Sequence, residues 1–164
     1  MLERIALAGL LLAAAGPAQK VDFPALLESM TALDRLWAPP APGTRNIPFS
    51  RYDRASDRGI GDQDAWYANR DTSNFLRTET RDGKQEHVLA DAAGPGAVVR
   101  IWSADPKGML FFYIDGAEQP TWAVDFKELT AGKHPALPEP LAGERSKGHN
   151  CHVPFGFQEH IKIT

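Results

Sequence analysis

The stretch Val88-Leu-Ala-Asp-Ala-Ala-Gly-Pro-Gly-Ala-Val-Val-Arg-Ile-Trp-Ser-Ala-Asp-Pro-Lys-Gly-Met-Leu-Phe-Phe-Tyr-Ile-Asp-Gly-Ala-Glu-Gln-Pro-Thr-Trp-Ala-Val-Asp125 sets the class of this chain. Short apolar, β-prone runs are separated by Gly-Pro-Gly, Asp-Pro-Lys-Gly and Asp-Gly, the punctuation of consecutive antiparallel strands. Glu86 to Asp91 and Ala97 to Ser103 read as strands joined by a tight Ala92 to Gly96 connection, where glycine supplies backbone freedom and Pro95 fixes its own φ. Met109 to Asp115 and Pro120 to Phe126 read as the next hairpin, across Asp115 to Gln119. Met109-Leu-Phe-Phe-Tyr-Ile114 is apolar on both faces, which predicts a central strand covered on both sides. Such a sheet requires a second layer, and the expected class is an all-β antiparallel β-sandwich.

Working outward from that stretch, Lys127 to Lys147 is rich in Pro, Gly and charge and reads as a long loop, a kind of segment that commonly carries function or an interface. Gly148 to Thr164 returns to strand. The alternation Ile161-Lys-Ile-Thr164 runs to the last residue, and about seven strands are expected in all. The expectation is a sandwich domain over residues 44–164 truncated at its C-terminus.

On the N-terminal side, Ala38-Pro-Pro-Ala-Pro-Gly43 forbids helix and reads as a stiff linker. Before it, Leu26, Leu27, Met30, Leu33, Leu36 and Trp37 recur at helical spacing. They predict one amphipathic helix over Asp22 to Trp37, with Asp22 as its cap and Pro24 in its first turn. Residues 19–43 are therefore a helix and linker. Residues 1–18 combine the apolar run Ile5 to Ala15 with small residues Gly16, Pro17 and Ala18, which is shorter than the ~20 residues of a membrane span and reads as a signal peptide. A buried N-terminal helix is the alternative, because Glu3 is atypical of a signal. Export to a secreted or periplasmic location follows from the first reading, with no membrane association after cleavage.

Composition narrows the partners. The chain has 164 residues, enough for one core, and a net charge of -3. Its Lys and Arg residues are scattered singly, so nucleic acid is not an expected partner. Cys151 is the only cysteine, so no internal disulfide can form. Signatures of nucleotide binding, α/β-hydrolases and zincins are absent, and no cofactor is expected. Asp57, Asp62 and Asp64 lack the EF-hand register. In a strand, His149 and Cys151 face one way and His152 the other, which does not favour a metal site.

The polar segment Asn46 to Asn69 carries Tyr52, Asp53, Arg54, Asp64 and Trp66 in a glycine-loosened loop. Carboxylates, guanidinium groups and flat aromatics suit a sugar site, where polar groups read hydroxyls and rings pack on C-H faces. The same residues also suit a solvated loop held by ion pairs. Strand alternation puts Trp102 on one face with Arg100 and Val98, either lining a cleft or in the core.

Taken together, Ser50-Arg-Tyr-Asp-Arg54, Val88 to Gly96 with its Gly-Pro-Gly, Arg100-Ile-Trp102, Phe112-Tyr-Ile-Asp-Gly116 with Pro120, Asn150 with Pro154-Phe155, and Lys162-Ile-Thr164 resemble glycoside hydrolase family 172, also known as domain of unknown function 2961. The resemblance runs from about Thr44 onward, over the N-terminal part of the family. It implies a jelly-roll sandwich, usually two per chain, assembled as homo-oligomeric trimers or hexamers that act on fructofuranose- or arabinofuranose-containing glycans. It also implies a retaining mechanism with two carboxyl groups about 5 Å apart. The family's catalytic glutamates lie beyond the matched region and correspond to no residue here. By the same resemblance Tyr52, Asp53, Arg54, Asp64 and Trp102 would contact carbohydrate. A noncatalytic carbohydrate-binding or assembly module is the alternative. The chain departs from the family pattern at Arg51, at Ala55 to Gly59 and at Phe155-Gly156.

Overall fold

A computed structural model describes residues 21–58, 61, 68 and 70–164. The apolar N-terminal run, Asp62, Asp64, Trp66, Tyr67 and Asn69 lie outside the described residues. The chain forms helix α1 (Phe23–Thr31), then β1 (Arg77–Arg81), β2 (Lys84–Val88), β3 (Ala90–Ala93), β4 (Gly96–Val98), β5 (Ile101–Ser103), β6 (Met109–Ile114) and β7 (Trp122–Asp125). Helix α2 (Phe126–Thr130) follows, then β8 (Lys133–His134), β9 (Leu137–Pro138), β10 (Ala142–Arg145), β11 (Gly148–Cys151), β12 (Phe155–Phe157) and β13 (His160–Ile163). All strand pairs are antiparallel, and the domain is an all-β sandwich.

One layer is a four-stranded sheet ordered β3-β13-β6-β7. The opposing side is built from β10-β11-β5 and the pair β12-β4. Side chains from both sides meet in one core: Leu110, Phe112, Val124, Ile161 and Ile163 from the first, Ala142, Cys151 and Phe157 from the second, and Leu129 from α2. Phe112, fully buried, is ringed by Trp122 and Phe155 with ring centroids 5.3 and 4.9 Å away. Aromatic clusters of this kind supply a large share of a small core's burial energy.

As its composition predicts, β6 is central, between β13 and β7. Leu110, Phe112 and Ile114 face the core. On its other face, Phe111 and Tyr113 lie under Arg81, whose guanidinium is 5.6 and 5.5 Å from the two rings, and Tyr113 also under Lys162. The covering element is the β1–β2 hairpin, which turns through Asp82-Gly83 with φ of 50° and 74°, the left-handed geometry of a tight two-residue hairpin.

Three expectations are corrected. Consecutive strands across Gly94-Pro-Gly96 do not pair, because β3 bonds to β13 and β4 to β12; that connection carries the chain between layers. The segment 127–147 is ordered rather than a loop and buries Leu129, Leu137 and Ala142. Its strands are two to four residues long, too short to display a period, so that thirteen strands are present among the described residues where about seven were expected. The N-terminal helix stops at Thr31, with a 3-10 turn over Leu33–Arg35. Asp22 caps it as expected, its carboxylate accepting from the Ala25 amide at 2.9 Å. The Ser29 and Thr31 hydroxyls donate to Leu26 and Glu28 carbonyls, competing with continued helix. None of its residues is fully buried, and its Leu26 side chain lies beside Gly156 of β12, so little burial offsets that competition. Among the described residues, no helix is long and apolar enough to cross a membrane.

Candidate functional site

The motif residues divide into those that hold the fold and those that face outward. Gly-Pro-Gly belongs to the first kind. A Cβ on Gly94 would lie 2.7 Å from the Gln158 carbonyl oxygen, and one on Gly96 2.7 Å from the Phe157 ring. Only glycine permits that approach. The Tyr-Ile-Asp-Gly run converges on the same corner. The Asp115 carboxylate accepts from the backbone amides of Gln158, Glu159 and His160 at 2.8 to 3.2 Å, and these bonds, from Glu159 foremost, hold it below the usual carboxylate range.

Tyr113 donates to Glu86 at 2.7 Å, and burial followed by that bond pushes its phenol up to about 12. Burial opposes ionisation of Glu86, but hydrogen bonds from Tyr113, Arg81 and Thr164 outweigh it and lower its pKa. Asp91 likewise overcomes its burial through His160 and Arg77, and Glu79 is lowered by Lys162 and Arg77. Glu79 and Glu86 stand opposite each other in the hairpin register, a like-charge pair that this surrounding cation set offsets.

A retaining glycosidase needs one carboxyl group kept protonated near neutrality as its acid. Among the described residues, every carboxyl group with a resolved shift moves the other way: Glu79, Glu86, Asp91, Asp105, Asp115 and Glu139 are all lowered. Cys151 is fully buried, and desolvation raises its thiol pKa, which leaves it inert as a nucleophile.

The loop residues Tyr52, Asp53 and Arg54 are engaged with their own neighbourhood. Arg54 donates to the carbonyls of Tyr52 and Ser50 and stacks 3.8 Å over the Tyr52 ring. Asp53 accepts from the Ala55 amide, starting the 3-10 turn Arg54–Arg58, and from the Arg70 amide. Asn74 ties Arg51 to Arg70. Tyr52 and Arg54 remain exposed, so the clamp presents one stacked cation-aromatic pair to solvent.

Trp102 lies on a different feature, the outward face of β10-β11-β5. Register places it opposite Asn150, and alternation sends Ile101 and Ser103 inward while Arg100 and Trp102 point out. Trp102 is 54% exposed, which settles it as a surface residue. Its indole lies against Gly148, where a Cβ would come within 2.5 Å of Nε1. Arg100 donates from Nη2 to Asn150 Oδ1 at 3.2 Å, and Asn150 Nδ2 donates to the Gly148 carbonyl at 2.9 Å. Beside Asn150 a shallow cleft of about 170 Å³ is lined by Pro140, Gly143, Arg145 and His152. Arg145 is held across it by Glu139 at 2.9 Å. The hairpin carrying Arg145 turns through Ser146 and Lys147, both at positive φ.

The structure therefore sets Trp102 with Arg100 and Asn150, and among the described residues Tyr52, Asp53 and Arg54 make contacts with residues 50–56 and 70–71. Asp64 is outside the described residues. Arg145 escaped the sequence reading and His152 entered it only as a possible metal ligand, since their place beside Asn150 depends on cross-strand register. Asn150 was visible only as part of a motif. Among the described residues no group of His, Cys, Asp or Glu is arranged to hold a metal ion.

A flat, partly exposed indole flanked by guanidinium and amide groups is chemistry suited to a carbohydrate ring. Comparison with known proteins agrees in class. The family described as the GH172 first beta-sandwich domain matches residues 42–164. No curated protein and no solved structure matches the chain. With three quarters of its length inside that match, the chain belongs to glycoside hydrolase family 172 and carries the family's first β-sandwich domain.

Proposed function

We propose that this chain is the sugar-contacting N-terminal module of an exported glycoside hydrolase acting on furanose-containing glycans, fructofuranosides or arabinofuranosides. The observation that carries the reading is the Trp102, Arg100 and Asn150 face on a domain of this family. Residues 1–18 serve as its signal peptide, residues 19–43 as a helix and linker, and the mature protein is secreted or periplasmic. Tyr52, Asp53, Arg54 and Asp64 are further carbohydrate contacts alongside Trp102, a reading supported for Tyr52 and Arg54 by their exposure. The retaining pair of glutamates is supplied from outside residues 1–164, which the downward shifts of the six carboxyl groups favour. Homo-oligomeric assembly is supported by the exposed Leu33, Leu36 and Trp37 beside α1.

The test pairs binding with turnover. Arabinofuranosyl and fructofuranosyl oligosaccharides are titrated calorimetrically into the chain, and release of sugar from the same compounds is followed in parallel. Binding without release is expected, weakened about tenfold or more by Trp102→Ala through loss of one stacking surface. Release by this chain alone would overturn the assignment of the glutamates, and failure to bind either furanoside would overturn the furanose reading.

A further inference from the structure

Of the two arginines on the outward face of β10-β11-β5, one is neutralised and one is not. Arg145 is paired with Glu139. Arg100 touches only the neutral Asn150 amide, and among the described residues no carboxylate pairs with it. Arg100 immediately precedes β5 and Trp102 lies within it, and both meet Asn150, Arg100 through its hydrogen bond and Trp102 as the cross-strand neighbour. A ring stacked on the indole can therefore extend one exocyclic group to the guanidinium. That bond from Nη2 to Asn150 orients the planar fork and leaves its other donors available, the geometry that recognises a carboxylate bidentately.

We propose that this face is a subsite for an acidic sugar, a uronate residue in a glycan chain, with its ring on Trp102 and its carboxylate on Arg100. The proposal rests on the carbohydrate-contacting reading above and adds to it the charge of the ligand. Asn150 positions Arg100 and offers its amide to a neighbouring hydroxyl. Gly148 keeps the indole flat against the strand, and the adjoining cleft at Gly143 and His152 leads the next sugar away from the stacked one.

The experiment measures binding of galacturonate, glucuronate and guluronate tetramers to the full chain, each beside its methyl ester, which keeps ring and linkage and removes only the charge. At low salt at least one acid is expected to bind about tenfold tighter than its ester, the worth of one exposed charge-assisted contact. The preference should shrink as ionic strength rises. Arg100→Gln should abolish it, bringing acid binding down to that of the ester, and Trp102→Ala should weaken acid and ester alike. Both residues are exposed, and unchanged thermal melts confirm that each variant is folded. Equal binding of acid and ester, lost in Trp102→Ala, would overturn the acidic assignment and keep the sugar face. An acid preference that survives Arg100→Gln would overturn it too. Absence of binding by all three acids, with the furanosides of the preceding experiment still bound, would overturn this inference alone.

Discussion

Replacing Gly94 by alanine tests whether the Gly-Pro-Gly motif is a packing requirement. The added Cβ would sit 2.7 Å from the Gln158 carbonyl oxygen, 2.9 Å from its carbon and 2.9 Å from Phe157 Cδ2, well short of the 3.4 Å at which ordinary contact begins. Two of those three atoms are backbone, and that backbone is anchored. The Gln158 amide donates to Asp115, the Gly94 amide donates to the Glu159 carbonyl at 2.7 Å, and β13 begins at once beside β3. Relief therefore requires moving a corner shared by three strands, and a cost of about 2–3 kcal/mol is expected, as for other overpacked sites. For a domain of this size that lowers the melting midpoint by about 6–9 °C. Gly83→Ala is the contrast, since nothing lies within 4 Å of its Cβ and only its φ of +74° resists the change; it should cost about 1 kcal/mol. Circular dichroism melts of the parent and both variants give the comparison. A Gly94→Ala melt within about 2 °C of the parent would refute the claim that the close approach constrains the fold.

Acid should loosen the β1–β2 hairpin first. Glu79, Glu86 and Asp91 all have folded pKa values below their ordinary 3.8 to 4.5, so their unfolded forms bind protons more readily. Their contribution is complete above that range and is lost as pH falls through it toward the depressed values. Protection factors of amides in residues 77–88, exchange rates taken relative to the intrinsic rate at each pH and measured downward from about pH 5, should fall before those of β6 and β13; simultaneous loss would contradict a hairpin held mainly by charge. Cys151 should react with a thiol reagent only when the domain opens, because the thiol is buried and its pKa raised. Modification at the rate of an exposed thiol in undenatured protein would sink that account.

Strand identity was legible wherever hydrophobicity alternated over enough residues. Met109 to Ile114, with apolar side chains on both faces, could only be a covered central strand, and Asp115-Gly116 announced a turn that takes positive φ at both residues. Arg77 to Gln85 carries no apolar alternation although Asp82-Gly83 marks a turn, because Arg77, Glu79, Arg81 and Glu86 point toward the sheet where apolar residues would be expected. Their placement depends on Asp91, Lys162 and Tyr113, which are remote in sequence from most of them.

Residue chemistry alone thus established the all-β class, the polar loop at 50–54, the one face shared by Arg100 and Trp102, and the family resemblance. It could do so because side-chain alternation and turn preference are local properties of the backbone. Tertiary structure decided which strands are neighbours, that Gly94 and Asp115 serve the same corner, and that Asn150 meets Arg100 while Glu139 occupies Arg145. Those relations are set by cross-strand register between segments up to about 65 residues apart, where shifting one strand by a single residue would reverse every face.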